Sequence, residues 1–347
     1  MNTRKPIALL DPSPRTMELM FRPAQLEELM SLVELRPAPG ESDYQEPTPA
    51  RIEEILPEAT YVIGQTDLPA GRLQTAQSLR AIVNVESNFM PNVDYEYCFS
   101  HHIHVLSVSP VFARAVAEIG LGFALALARQ IPRADHEFRT GVERYGLEGN
   151  EDALLLSELP IGIIGFGDLG KALIRLLRPF GRRIRVFDPW LPERTIRDGG
   201  GEPSSLDEVL SGSRAIFVVA AVTGDNQGFL DRAALEKIPH DSLFVLLSRA
   251  GVVDFEALAD LALSGSLRVA TDVWPDEPFD PGHRIRTAPR AVLSAHRAGA
   301  LSSCFFEMGD RVIEDIRLLN AGLPPVSCKR GEYETVSRMR SRPVTQN

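Results

Sequence analysis

Short apolar runs alternate with helical patterns along this chain, and that alternation restricts the fold more than any other feature of the sequence. A buried strand with the helix that follows it is one βα unit, and a series of such units builds a parallel sheet. In the first third of the chain, the predicted strands are residues 7–10, 61–64, 81–85 and 104–108. The predicted helices are residues 22–35, 49–56, 71–78 and 93–100. Residues 36–50, rich in proline and polar residues, are predicted to form a loop with at most one short strand.

A second βα series begins at Pro160. Its predicted strands are residues 161–165, 183–188, 215–220, 243–247, 268–273 and 291–294. Its predicted helices are residues 168–179, 205–211, 231–237 and 254–263. Six strands in this arrangement are typical of a doubly wound nucleotide-binding domain. One more amphipathic helix is predicted from Ala300 to about residue 320, and the polar residues 331–347 are expected to form a tail.

Length, charge and cysteine content narrow the class of protein. The 347 residues suffice for two domains of about 150 residues each. Lys and Arg number 37 and Asp and Glu number 47, and the formal net charge of −10 disfavours a nucleic-acid binder. Cys98, Cys304 and Cys328 are too few and too scattered for a disulfide framework, which favours a reducing cytoplasm. No apolar stretch approaches the roughly 18 residues of a membrane span, so no membrane partner is expected.

Residues 111 to about 139 are predicted to be helical, and the first half of this stretch, AVAEIGLGFALALARQI, is largely apolar. A helix that is apolar on every side is not a surface helix, because each face needs an apolar partner. We therefore expect it to pack between two domains or between two subunits, which favours a homodimer.

The segment IGIIGFGDLG contains the motif G-x-G-x-x-G at Gly165, Gly167 and Gly170. In such a turn the first glycine allows a sharp bend after a strand, the second lets the backbone approach a pyrophosphate, and the third lets the helix pack closely. Free N–H groups of the helix that begins near Asp168 would point at the phosphates. The motif alone is weak, but here a predicted strand precedes it and a predicted helix follows it.

The next predicted strand, RIRVFD, ends in Asp188, 23 residues after the first glycine of the motif. A carboxylate at this place accepts hydrogen bonds from the ribose hydroxyls of NAD and repels the 2′-phosphate of NADP, so NAD is the favoured cofactor. Two alternatives stay open, namely a glycine turn that binds nothing and a solvated acid at the end of a strand.

Three later segments place reactive side chains just after predicted strands. LLSRAGVVD contains Arg249, TDVWPDEP contains Asp272 and Glu277, and LSAHRAGA contains His296. In open α/β sheets, ligands bind at the carboxyl ends of the strands. Each of these residues also has a structural alternative, because a surface arginine in an ion pair, a solvated glutamate and a structural histidine are all common. Earlier in the chain, His101, His102 and His104 form a cluster, but no cysteine or acid completes a metal site there, so no metal is predicted.

Together these motifs resemble those of the D-isomer-specific 2-hydroxyacid dehydrogenases. The resemblance covers about residues 55–325 and rests on GFGDLG with the downstream FDP, on SRAGVVD, DVWPDEP and SAHRAG, and on AVAE at 115–118. It implies an α/β fold of two doubly wound parallel-sheet domains, a flavodoxin-like substrate domain and a Rossmann NAD-binding domain. The expected boundaries are residues 1–119 with 299–330 for the substrate domain and residues 120–298 for the NAD-binding domain.

The resemblance also implies a role for each candidate residue. His296 would be the acid/base, and Glu277 would hydrogen-bond its other ring nitrogen. Arg249 would bind the substrate carboxylate and carbonyl through its planar donor fork. The implied cofactor-binding residues are Gly165, Gly167, Asp168, Leu169, Gly170, Asp188, Leu247, Ser248, Asp272 and Gly299.

The chain departs from the family at the substrate-binding turn, which in the family reads V-G-x-D-N-V-D. Here the sequence is NVESNFMPNVD, which puts Asn88 and Phe89 at the V-G positions and Pro91 at the first aspartate. Asn88 and Phe89 are, with Arg249, the candidate substrate-binding residues, and the bulkier turn leaves the size and polarity of the substrate open. Arg297, next to His296, adds a cation that could bind a second anionic group.

The favoured function is hydride transfer between NAD and a small anionic D-2-hydroxy acid or 2-keto acid. Two alternatives stay open. The first is an NAD(H)-sensing binding module of the same fold, like the C-terminal-binding corepressors. The second is a dehydrogenase of the same family that acts on formate or phosphonate. The altered turn at residues 84–94 is the reason to consider a different substrate.

Overall fold

The structure is a computed structural model that describes residues 4–86, 88–180 and 183–337. The strands, numbered along the chain, are β1 Ile7–Asp11, β2 Glu34–Arg36, β3 Ala59–Gly64, β4 Ala81–Asn84, β5 His104–Ser107, β6 Ile161–Ile164, β7 Ile184–Phe187, β8 Glu202–Pro203, β9 Ala215–Val218, β10 Ser242–Leu246, β11 Leu267–Thr271, β12 Ala291–Leu293 and β13 Lys329–Arg330. The α-helices are α1 Met17–Met20, α2 Pro23–Leu32, α3 Pro49–Ile55, α4 Ala70–Leu73, α5 Tyr95–Ser100, α6 Phe112–Arg129, α7 Ile131–Thr140, α8 Asp168–Leu177, α9 Glu193–Asp198, α10 Leu206–Gly212, α11 Arg232–Leu235, α12 Phe255–Leu263, α13 Ser302–Asn320 and α14 Tyr333–Val336.

The chain divides into two compact units, the first formed by Met1–Phe112 with Ala300–Asn347 and the second by Ala113–Gly299. The sheet of the first unit has the order β13-β5-β4-β3-β1-β2. Strands β1 to β5 are parallel in the flavodoxin-like order, and β13 pairs antiparallel with β5 at the edge. Ala8, Leu9 and Leu10 of β1 are fully buried, as in strands covered on both faces.

The sheet of the second unit is parallel throughout, in the order β12-β11-β10-β9-β6-β7-β8. Numbered within the unit from β6, this is the Rossmann order 3-2-1-4-5-6 with one added edge strand. The predicted fold class, two doubly wound parallel-sheet domains, is therefore confirmed. The strand order reverses between β6 and β9, and in such sheets the ligand binds outside the carboxyl ends of the strands at this point.

Three short strands, β2, β8 and β13, were missed by the sequence prediction. The helix predicted over residues 22–35 ends at Leu32, and Glu34–Arg36 forms β2 instead. Val33 is extended, with φ of −139°, and it is buried together with Leu35 because residues two apart share one side of an extended chain. The other two missed strands, β8 and β13, are each two residues long and contain no apolar run.

The helix predicted over residues 111–139 is two helices, α6 and α7, separated by Gln130, whose φ is +52°. Arg114 and Glu118 form an exposed side of α6, so this helix is not apolar all round. Contrary to the sequence expectation, residues 109–129 are long and apolar enough to cross a membrane by length and composition alone, and 44% of an apolar 18-residue window within them is buried in the protein. Phe123 and Leu127 pack into the core of the second unit, and this packing accounts for the apolar composition.

The compact units divide after Phe112 and after Gly299, and the functional domain boundaries at 119/120 and 298/299 stay predictions. Residues 331–337, expected to belong to a polar tail, include α14, whose Val336 is buried. Residues 338–347 lie outside the described part of the chain.

Candidate active site

The glycine turn joins β6 to α8. Gly165 has φ of +97°, and a Cβ there would lie 2.6 Å from the Cα of Ala220. A Cβ on Gly170 would lie 2.6 Å from the carbonyl oxygen of Gly165, so α8 packs directly on the turn. At Gly167, by contrast, a Cβ would meet nothing within 4 Å, so the backbone there borders open space. This is the arrangement that a pyrophosphate needs, with backbone N–H groups exposed at the start of a helix. Asp168 and Leu169 form the first turn of that helix.

Asp188 follows β7 and is held by main-chain N–H groups. Its Oδ2 accepts from Phe166 N at 2.8 Å, and its Oδ1 accepts from Trp190 N at 3.0 Å and from Leu191 N at 3.2 Å. A carboxylate has about four acceptor positions, so one remains for a ribose hydroxyl. A cavity of about 280 Å³ beside it is lined by Asp188, Glu193 and Glu208, and these acids would repel a 2′-phosphate.

His296 and Glu277, which lie on different loops, meet directly. His296 Nδ1 lies 2.7 Å from Glu277 Oε2 and 2.9 Å from Glu277 Oε1. Because a carboxylate only accepts hydrogen bonds, Nδ1 carries the proton and donates it to this contact. Among the residues that the structure describes, none hydrogen-bonds Nε2, and both side chains are 39% exposed. The imidazole therefore presents Nε2 as a group able to give or take a proton.

Asp272 has a structural task that the sequence did not suggest. It directly follows β11 and is 1% exposed. Its Oδ1 accepts from Arg297 N at 3.1 Å and its Oδ2 from Ala298 N at 2.9 Å. The preceding residue, His296, has φ of +46°, which non-glycine residues rarely adopt. Asp272 therefore fixes the chain just after His296, and Gly299 follows this fixed segment.

Arg249 lies three residues beyond Leu246, the last residue of β10. It is at the same sheet edge as Asp272 and His296, because β10, β11 and β12 are adjacent and parallel. Its side chain is exposed, and Nη1 donates to the carbonyl oxygen of Ser248 at 2.7 Å. Leu247 is buried. The structure thus brings His296 and Glu277 into contact and puts Arg249 on their edge of the sheet.

The altered turn after β4 belongs to the first unit. Asn88 is exposed, whereas the Phe89 ring is buried and meets the Tyr95 ring edge-on at 6.4 Å. Residue 89 can therefore offer only its main chain to a ligand. Sequence reasoning missed Arg15, whose guanidinium donates to Val85 O at 2.8 Å and to Glu86 Oε2 at 3.1 Å. The only sequence feature that could have pointed to Arg15 is its position in the turn after the first predicted strand, residues 7–10.

Comparison with known proteins identifies the family. Residues 121–298 match the family model described as "D-isomer specific 2-hydroxyacid dehydrogenase, NAD binding domain". The chain belongs to the D-isomer specific 2-hydroxyacid dehydrogenase family. A phosphoglycerate oxidoreductase from Rhizobium etli of known structure is 48% identical to this family member, with a TM-score of 0.85, over 95% of this chain and 100% of that one.

Two relatives differ in how much of their length they share with this 2-hydroxyacid dehydrogenase homologue. The hydroxypyruvate reductase of Thermotoga maritima is 28% identical over 270 residues, which are 76% of this chain and 85% of that protein. The D-3-phosphoglycerate dehydrogenase of Mycobacterium bovis is 28% identical over 267 residues, which are 76% of this chain and 49% of that protein. The chain therefore spans about half the length of the D-3-phosphoglycerate dehydrogenases that it matches.

NAD is the cofactor of this family member, since the matched domain is an NAD-binding domain. The residues present fit that group. Open space borders Gly167, and Asp188 keeps an acceptor position. The buried hydroxyls of Thr223 and Ser248, which follow β9 and β10, have no hydrogen-bond partner among the described residues. Buried polar atoms of this kind call for a partner, and a bound dinucleotide would supply one.

Proposed function

We propose that this chain is an NAD-dependent dehydrogenase that interconverts a small D-2-hydroxy acid and its 2-keto acid. The observation that carries the proposal is the contact of both Glu277 oxygens with His296 Nδ1. This pair lies in the same unit as the glycine turn and follows strands of the same parallel sheet. An imidazole whose Nδ1 proton is held by a carboxylate, with Nε2 left to react, is a general acid and base.

Each residue has a defined task in this proposal. When bound, the nicotinamide supplies or accepts the hydride. His296 Nε2 gives its proton to the carbonyl oxygen of a keto acid, and it removes the hydroxyl proton in the opposite direction. Glu277 keeps the ring oriented and stabilises the imidazolium. Arg249 binds the substrate carboxylate, because its planar guanidinium can form two parallel hydrogen bonds with it.

The names of the relatives and one unusual residue suggest which acids to try first. The relatives are named for D-3-phosphoglycerate, hydroxypyruvate and glyoxylate. Arg297 is exposed, and its guanidinium forms no hydrogen bond or ion pair with any residue in the described ranges. A free cation beside His296 favours a substrate with a second anionic group, so we place the phosphorylated acid before the two smaller keto acids.

The test is turnover of these acids with NAD or NADH, followed by absorbance of the reduced nicotinamide. His296→Gln should lower kcat by about 10²- to 10⁴-fold, the usual contribution of a general acid or base. His240→Gln, the same change at an exposed histidine of the second unit, should leave kcat unchanged. Turnover by the His296 variant within twofold of wild type would refute the proposal. Tight NADH binding with no turnover of any acid would favour a binding module instead.

We also propose a homodimer that acts in the cytoplasm. Residues 131–155 expose large apolar side chains, which suit burial against a second copy. These side chains are Ile131, Phe138, Val142, Tyr145, Leu147 and Leu155. This surface differs from the one expected from the sequence, because α6 packs into its own core. Cys98 and Cys328 are free thiols, which suits a reducing compartment.

Light scattering tests the dimer proposal. Leu147→Glu should convert the protein to a monomer, since this leucine is 85% exposed and a glutamate there would be buried in the dimer. Leu323→Glu, at an exposed leucine of the first unit, should leave the dimer intact. A wild-type monomer at micromolar concentration would contradict the proposal.

A further inference from the structure

Trp274 connects the two loops that carry Glu277 and His296. Its indole Nε1–H donates to the carbonyl oxygen of Ser294 at 2.8 Å, and Ser294 precedes His296 by two residues. Its main-chain N–H donates to Glu277 Oε1 at 3.3 Å. One residue thus bonds both to the carboxylate and to the chain segment that carries the imidazole.

The indole is itself held in place by neighbouring rings. It stacks on Phe279 with ring centres 4.3 Å apart and an angle of 27° between the ring planes. It also meets Phe255, the first residue of α12, edge-on at 5.9 Å. The Phe279 ring in turn contacts His283 at 4.8 Å, and His283 lies 2.9 Å from Glu256 of α12. These contacts tie the loop after β11 to a regular helix, so the indole N–H has a fixed position.

The pair of Glu277 and His296 needs such support. Both side chains are 39% exposed, and an exposed ion pair holds its partners weakly because water competes for them. His296 also has a positive φ, +46°, so its loop stays in this conformation only if the surroundings hold it. Asp272 holds the chain after His296, and Trp274 holds the chain before it, at Ser294.

We propose that Trp274 is a positioning residue, whose indole N–H fixes the imidazole of His296 against the carboxylate of Glu277 through the Ser294 carbonyl. The inference rests on the proposed function, in which His296 is the acid/base. Trp274 itself transfers no proton in this scheme and acts only through the two residues that it holds.

Removal of the indole N–H alone tests the idea. Trp274→Phe keeps an aromatic ring on Phe279 and keeps the main-chain N–H, and benzothienylalanine at position 274 also keeps the bicyclic shape. Either variant should lower kcat about five- to tenfold with KM unchanged, which corresponds to the loss of one neutral hydrogen bond. Ser211→Ala, which removes a 2.7 Å side-chain hydrogen bond to a carbonyl oxygen in α10, should change neither constant. An unchanged kcat in both position-274 variants would overturn the inference.

A double-mutant cycle separates positioning from a general structural effect. Glu277→Ala removes the carboxylate toward which Trp274 orients the imidazole. In that background Trp274→Phe should lower kcat by less than about twofold, because residues that act through one contact are not additive. A full five- to tenfold loss in both backgrounds would mean that Trp274 does not act through this pair.

Nitrogen NMR of the His296 ring gives a readout that needs no substrate. The two ring signals are assigned by their absence in His296→Gln. Trp274→Phe should shift the Nδ1 signal, which reports the contact with Glu277, and Ser211→Ala should leave it in place. If the signal shifts while no acid is turned over, the positioning stands and the proposed function fails. If acids are turned over but the signal does not move, the positioning is refuted and the proposed function stands. If Trp274→Phe fails to fold, the benzothienylalanine variant decides through the same signals.

Discussion

Replacing Asp272 with asparagine tests whether one buried carboxylate holds the loop of His296. Each carboxylate oxygen accepts one main-chain N–H, from Arg297 at 3.1 Å and from Ala298 at 2.9 Å. An asparagine side chain has one acceptor oxygen and an NH₂ group that only donates. The variant can therefore keep one of the two hydrogen bonds, and it points a donor at the other N–H.

The size of the effect follows from these contacts. A hydrogen bond to a charged acceptor contributes about 1.5–3 kcal/mol, and a buried N–H without a partner costs about 1–3 kcal/mol. Relief of a buried charge offsets part of this loss, so the free energy of unfolding should fall by about 2–4 kcal/mol. For a unit the size of residues 113–299 this lowers Tm by about 10 °C. The released loop can also relax its backbone at His296, so kcat should fall while KM changes little.

Thermal unfolding and steady-state kinetics measure both effects. The matched control is Asp254→Asn, because Asp254 also accepts a main-chain N–H, from Ala257 at 3.0 Å, but caps the start of α12. Asparagine caps helices as well as aspartate does, so this variant should stay within about 0.5 kcal/mol of wild type. If Asp272→Asn unfolds at the same temperature as the control and keeps its kcat, the carboxylate does not hold the loop.

Three further predictions concern the same unit. Gly165→Ala should destabilise the unit by more than about 2 kcal/mol, because φ is +97° and the new methyl group would lie 2.6 Å from the Cα of Ala220. Gly167→Ala should keep the Tm of the unit and should weaken NAD binding about tenfold in calorimetric titrations. Asp188→Asn should narrow the preference in kcat/KM for NAD over NADP by about tenfold or more, and an unchanged ratio would contradict the role given to this carboxylate. Burial opposes ionisation of Asp241, but hydrogen bonds from the buried Arg268 lower its pKa below the ordinary 3.8. The stability contributed by this pair is therefore present above pH 3.8 and is lost as the pH falls below it. Asp241→Asn should lower the free energy of unfolding by about 3–5 kcal/mol at neutral pH. Acid unfolding curves of this variant should no longer show the loss of stability below pH 3.8.

The sequence predicted the long parallel strands because buried strands are continuous apolar runs. Residues 243–247 were predicted as a strand, and the structure has Ser242–Leu246. The edge strands β2 and β8 are two or three residues long, too short for any periodicity to be visible. Val33 and Leu35 instead extended the apolar pattern of α2, so the helix was predicted too long.

The candidate site was predictable where side chains carry the signal. The motif order pointed to Glu277 and His296, and the structure puts them in contact. The sequence could not show that Asp272 holds the chain after His296, because its hydrogen-bond partners are main-chain N–H groups, which every residue except proline carries. Phe89 suggested a bulky turn, but its ring packs on Tyr95 within the core, and that contact depends on the path of the chain.

The last part of the chain completes the first unit. Gln25 donates to Phe306 O at 3.0 Å, and Gly331 N donates to Val105 O at 2.7 Å. On the ribosome, strands β1 to β5 must therefore wait for helix α13 and strand β13, which are made after the inserted unit. The inserted unit, Ala113–Gly299, has all of its residues before that point and can finish folding first. Strands β1 to β5 are therefore exposed on the nascent polypeptide, without the partners that complete their unit, for at least the time needed to make residues 113–299.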